Sequence, residues 1–394
     1  MSAPHATPGL PVRGSFLAGM TNLPRTARIE ALTGLRGIAA ILVVLFHYSG
    51  GFLPNLDLAE HTRFVVKGYL WVDLFFLLSG FIMMHVHGAA FGQTLHAPVV
   101  KSFLVSRFAR IYPLHLAVLA GFLALELAKW WLMASGISKL DVEPFSHDKQ
   151  PLALATHLTM TQGLGLHDSL TWNGPAWSVG TEWAAYVVFP LLALALHGSR
   201  RLFPGLALGL VTLLLGVSHG GRDLDVTYDL GLWRCLTEFT LGAMLYGLYQ
   251  SPRAAALGRT SVFVLVAAAT VAAMHAGARD IVIVVLFALL LVTLACNQGW
   301  PAALLGTKPL VFLGEISYAI YMCHMLLMET ADTFSRAMTG RALGRYLDVS
   351  ASLVVLLGGL LLVALCSAWL YRRIELPARA WIKRCALGRT LQAA

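Results

Sequence analysis

Long apolar runs alternate with short polar breaks along nearly the whole chain. The runs at 35–53, 65–86, 112–133, 176–197, 203–218, 230–250, 261–276, 281–297, 310–330 and 349–371 approach the ~20 residues that a helix needs to cross a bilayer. Lipid offers no partners to backbone N–H and C=O groups, so runs this long are expected to be helices that satisfy themselves internally. The pattern predicts an all-α polytopic membrane protein of about ten transmembrane helices, and an even number places both termini on one side. Lys and Arg concentrate before residue 35, in 87–111, 198–202, 251–260 and 298–309, and after 371, whereas acidic residues favour the alternate breaks. The positive-inside rule therefore assigns both termini to the cytoplasm. Loop 331–348 runs against the trend, with Arg336, Arg341 and Arg345 on the outer side.

Three parts are expected: a cytoplasmic N-terminal segment 1–34, a ten-helix domain 35–371 and a basic cytoplasmic tail 372–394. The first 30 residues show no apolar core ending in a small-residue cleavage site, so the first run is expected to be an uncleaved anchor. Segment 151–166, "PLALATHLTMTQGLGL", is short for a span and reads as an interfacial or re-entrant helix. If it crossed, every later run would invert. The tail sets Arg372, Arg373, Arg379, Lys383 and Arg384 beside Trp381, which suits a helix lying on an anionic leaflet.

Composition agrees with a lipid setting: 57% of residues are hydrophobic and 12% charged, against about a quarter charged in soluble proteins. The net charge of +9 then reflects membrane anchoring or an anionic cytoplasmic ligand. Nucleic acid is not an expected partner, because no compact basic domain stands outside the membrane. The five cysteines show no paired spacing, so neither disulfides nor a metal site are expected.

Ionisable residues inside apolar runs are costly and usually mark function. In "LTGLRGIAAILVVLFHY", Arg36 and His47 lie nearly three helical turns apart on one face, about 16 Å along the axis. Arg36 sits where a guanidinium can snorkel, and His47 lies beyond the midplane. The same arithmetic puts Asp73 roughly 12 Å and Glu182 roughly 9 Å below the outer boundary, with His324 near that level. Each has a plain structural reading: a packed core His, an ion pair between Asp73 and Lys67, polar glue between helices. Their shared depth instead favours one polar cavity.

A neutral imidazole suits taking a proton from a hydroxyl and returning it to a leaving group. A carboxylate on its second nitrogen would fix the tautomer; depth makes Asp73 the first candidate and Glu182 the next. Ser79 lies about 9 Å further along its run, too far to serve His47 as nucleophile, so direct transfer is favoured over a covalent enzyme intermediate. Arg107 and Arg110 in "SRFARIYP" share one side of a helical turn. With Arg36 at the same inner boundary they suit a phosphate, unless they are ordinary positive-inside anchors.

At these residues the chain resembles the acyltransferase-3 family of integral membrane acyltransferases. The resemblance rests on "LTGLRGIAAILVVLFH", "VDLFFLLSGF", "RFARIYP", "WSVGTEWAAYVVFP", "ISYAIYMCH" and "IELPARAW", in this order along nearly the whole length. It implies ten core helices and transfer of an acyl group, commonly acetyl from acetyl-CoA, to a hydroxyl of a glycan or other acceptor, without a metal. It also implies His47 as catalytic, Arg36 as its partner and Arg107 and Arg110 on the coenzyme side. Glu182 would be the glutamate of the Trp-Ser-x-x-x-Glu motif, and Trp177, Ser178 and His324 are expected to meet substrate. Thr33 and Cys323 depart from commoner Asp and Trp, which points to a divergent acceptor pocket. The expected setting is a bacterial cytoplasmic (inner) membrane, with acceptor-processing proteins or a second copy of the chain as possible partners. Two alternatives stay open: acylation of a small natural product such as a macrolide, and a proton-coupled transporter using the same buried groups.

Overall fold

The structure, a computed structural model, describes residues 29–136, 140, 142–197 and 223–388. The expected run 203–218 and most of the N-terminal segment lie outside the described residues. No strand occurs among the described residues. The principal helices are α1 (Glu30–His47), α2 (Trp71–Phe91), α3 (Ala97–Ala134), α4 (Ala176–Ala195), α5 (Gly231–Tyr249), α6 (Thr260–Ala276), α7 (Asp280–Cys296), α8 (Lys308–Glu315), α9 (Ser317–Thr339), α10 (Val349–Leu370) and α11 (Leu376–Leu387).

Five stretches among the described residues are long and apolar enough to cross a membrane: Glu30–Phe52, Arg63–Phe91, Ala97–Ala134, Ala176–Ala195 and Val349–Leu387. The pair α8 and α9, bent by 61° at Ile316, makes a sixth candidate, and α6 and α7 are shorter apolar helices. The chain is an integral membrane protein.

Close helix crossings place the site. A Cβ on Gly37 would come within 2.6 Å of the backbone nitrogen of Gly314, so α1 and α8 touch backbone to backbone. Likewise Gly80 of α2 lies against the carbonyl of Phe239, and Gly242 of α5 against that of Leu77. Small residues at crossings let membrane helices gain packing and polar contacts that lipid cannot compete for. A side chain at Gly242 would separate α2 from α5.

Two helix ends differ from the sequence pattern. Helix α3 begins at Ala97 rather than near 112, because Pro98 falls in its first turn, where the missing N–H is no loss. It continues through Pro113, so Arg107 and Arg110 stand inside a helix and not in a loop. Helix α9 runs on to Thr339, and Arg336 donates to Asp332 at 2.7 Å one turn earlier.

Segment 151–166 forms only the short helix Ala153–Leu158, too short to cross a bilayer. It is tied to α3: Tyr112 Oη donates to the Leu158 carbonyl at 3.0 Å and His115 Nε2 to the His157 carbonyl at 2.9 Å. The His115 and His157 rings stack, 5.8 Å apart and 5° from parallel. Burial pushes the His157 imidazole down to about 3. The tail turns through a π-helical stretch, Tyr371–Glu375, into α11, which packs along α3.

Candidate functional site

Two cavities flank the middle of α1. The first, about 180 Å³, is lined by Arg36 of α1, Ser79 of α2, Arg107 and Arg110 of α3, and Ser178 and Glu182 of α4, with Tyr318 and Tyr321 of α9. The structure thus brings together the three arginines and two of the α4 residues that the sequence singled out. Arg36 is oriented by the α1–α8 crossing: its Nε and Nη2 donate to the Gly314 carbonyl at 3.2 and 2.7 Å. Arg110 is ion-paired with the buried Glu375 and lies over the Tyr318 ring, 5.8 Å from its centre. Arg107 makes no ion pair among the described residues; it reaches Met83 Sδ at 3.7 Å and Ser106 Oγ at 3.3 Å.

Glu182 belongs to this arginine-lined cavity. Ser79 Oγ and Tyr186 Oη both donate to Glu182 Oε1 at 2.6 Å. Ser178 is buried, donates to the Pro175 carbonyl at 2.9 Å and meets Tyr321 Oη at 2.8 Å.

The second cavity, about 520 Å³, has His47 in its wall. Around it stand Lys129 and Glu126, ion-paired on α3, and Lys149, which donates to Asp148 at 2.7 Å, to the Trp172 carbonyl at 2.6 Å and to Glu329 at 3.1 Å. Asp332 and Arg336 complete the ring. The wall is therefore strongly polar, with several of its charges joined in ion pairs and Glu143 and Arg345 also lining it.

The neighbour of His47 is His324, ring centres 5.0 Å apart. His324 is fully buried; its Nδ1 donates to the Ile320 carbonyl at 3.2 Å, and its Nε2 has no hydrogen-bond partner among the described residues. Its ring is 6.1 Å from that of Tyr321, which lines the arginine-lined cavity. Tyr321, His324 and His47 thus stand in file from the first cavity to the second.

Asp73 is not at His47. It is fully buried and receives a fork from Arg234 of α5, Nε to Oδ1 at 2.8 Å and Nη2 to Oδ2 at 2.5 Å. Arg234 also donates to the Val226 carbonyl at 2.9 Å and lies over the Trp177 ring at 5.6 Å, so Trp177 backs a buried ion pair. Nor is Lys67 the partner of Asp73: it pairs with Asp280, which Tyr69 Oη also reaches at 2.7 Å. The four residues placed at one depth by residue counting form three clusters, His47 with His324, Asp73 with Arg234, and Glu182 with Ser79 and Tyr186. Sequence reasoning missed Glu375, Arg234, Tyr186 and Lys149. Arg234 alone gave a signal, as a charge inside an apolar run.

Comparison with known proteins follows this geometry. The family of the acyltransferase-3 type, described as an acyltransferase domain, matches residues 29–373. An acyltransferase of Streptomyces mycarofaciens, MdmB, is 26% identical over 339 residues, covering 78% of this chain and 80% of its own. A Rhizobium radiobacter protein, the second of the picA locus, is 32% identical over 170 residues, or 41% of this chain and 81% of its own length. A Staphylococcus aureus protein named as an O-acetyltransferase is 22% identical over 407 residues, 92% of this chain, which spans 59% of that relative. No solved structure matches.

Proposed function

The chain belongs to the acyltransferase-3 family, and from that premise we propose that it transfers an acyl group, acetyl in the first instance, from acyl-coenzyme A to a hydroxyl of a surface or secreted glycan, with His47 as general base. One observation carries this reading: α1 contributes Arg36 to the arginine-lined cavity and His47 to the second one, about 16 Å apart along a single helix. The coenzyme's phosphates would stay among Arg36, Arg107 and Arg110 at a cytoplasmic face, while its arm carries the thioester past Tyr321 and His324.

The acceptor hydroxyl gives its proton to the His47 imidazole as its oxygen attacks the thioester carbonyl carbon. The C–S bond breaks, and the imidazolium returns the proton to the departing sulfur. General acid–base help of this kind contributes about 10²–10⁴-fold. Glu182 acts on the donor side, where its carboxylate fixes the Ser79 and Tyr186 hydroxyls. The charged and polar groups around the second cavity favour a hydroxyl-rich acceptor over an apolar one, since such groups keep spare lone pairs and N–H bonds for hydroxyls. The bacterial inner membrane is the proposed setting.

The test is transfer of radiolabelled acetyl from acetyl-CoA to a glycan fraction by the purified protein in detergent. Label in the glycan supports the reading. Absence of both transfer and coenzyme binding, with solute flux in liposomes, would establish a transporter instead.

A further inference from the structure

The C-terminal helix carries charges that the fold leaves unbalanced. Helix α11 packs along α3, and Arg379 and Lys383, four positions apart, share one of its faces. Both act electrostatically on Arg107, and Arg379 acts on Arg110 as well. Glu375 already neutralises Arg110. Arg107, Arg379 and Lys383 have no ion pair among the described residues.

A fourth group stands with them. His87 of α2 is buried, packs edge-on against Phe103 at 5.1 Å, and feels both Arg107 and Lys383. Its Nε2 has no hydrogen-bond partner among the described residues. The Glu182 carboxylate acts on Arg107 from the cavity side, but Arg379 and Lys383 form no ion pair among the described residues, and like charges that face one another raise each other's cost. An anion between them would remove that cost and give the imidazole nitrogen a partner.

We infer that Arg379 and Lys383, together with Arg107 and His87, form a phosphomonoester station beside the arginine-lined cavity, and that it takes the 3′-phosphate of the coenzyme's ribose. The inference rests on the acyl-coenzyme A reading above. Arg107 belongs to both places, as it lines the cavity and faces α11. Neither Arg379 nor Lys383 lines the cavity, so the station receives a phosphate that branches away from the arm. Coenzyme A has such a group in its 3′-phosphate, set apart from the diphosphate in line with the arm. The tail is then part of the donor site and not only a surface anchor.

The experiment compares binding of coenzyme A and 3′-dephospho-coenzyme A to the full chain in detergent, for the unaltered protein and for Arg379→Gln/Lys383→Gln. Charge-assisted bonds to a phosphate predict that the unaltered protein prefers the phosphorylated form by about 10-fold or more. The double variant should bind both forms alike, at the affinity the unaltered protein shows for the dephospho form. The charge-keeping variant Arg379→Lys/Lys383→Arg should recover most of the preference, which separates this result from misfolding. A double variant that keeps the preference overturns the inference. So does a preference-free loss of stabilisation by phosphatidic acid nanodiscs relative to phosphatidylcholine ones, which would assign the station to a lipid headgroup. If the unaltered protein binds neither coenzyme form, the acyl-coenzyme A reading falls first and this inference with it.

Discussion

His47 and His324 face each other across 5.0 Å with their planes tilted by 34°, one reaching the polar cavity and the other sealed behind it. With Nδ1 of His324 donating to the Ile320 carbonyl, its proton is assigned there, and Nε2 is left as an acceptor. The His324 ring is thus the imidazole that packs against His47, where a carboxylate was expected. His324→Gln should therefore lower kcat by about 10- to 100-fold and leave the KM for acetyl-CoA within about twofold. Steady-state kinetics with both substrates varied measure this. An equal rise in KM with unchanged kcat would make His324 a donor contact instead.

Asp73 and Arg234 predict a different phenotype. Both are buried and joined by two bonds, and removing one member of such a pair leaves the other charge stranded, at about 3–5 kcal/mol. Asp73→Asn should thus lower the thermal midpoint of the detergent-solubilised protein sharply while turnover per folded molecule persists. Full stability with lost turnover would return Asp73 to the chemistry.

Stability should also fall in mild acid through His157. Its folded value lies at about 3 against 6.5 when unfolded, so neutrality contributes stability above 6.5 that is lost as pH falls toward 3. At pH 5 the contribution lost amounts to ~2 kcal/mol. Thermal midpoints from pH 7.5 to 5 should decline for the unaltered protein and decline less for His157→Gln. Parallel curves would show that another group governs the acid limb.

Helices were legible because apolar runs long enough to cross a bilayer have few alternatives to helix. Which face of each helix points where was not legible. Counting residues gives height along an axis and no azimuth, and a helix apolar all round carries no stripe to supply it. Asp73 shares a level with His47 but faces α5, where Arg234 waits; Glu182 faces the arginines. The pairing of Arg36, Arg107 and Arg110 in one cavity was legible from spacing, since residue counting puts all three near one end of their apolar runs. Glu375 was not, because it lies just past the last apolar run, and nothing in "IELPARAW" shows that a π-helical turn tucks it beneath Arg110.

The account's central claim is that the imidazole at the far end of α1 removes the acceptor's proton. It is tested most directly by turnover of His47→Ala, measured beside equilibrium binding of acetyl-CoA to the same preparation. Turnover should fall by about 100-fold or more with coenzyme affinity unchanged; a variant that binds the coenzyme and still turns over within a few-fold of the unaltered protein would contradict the account.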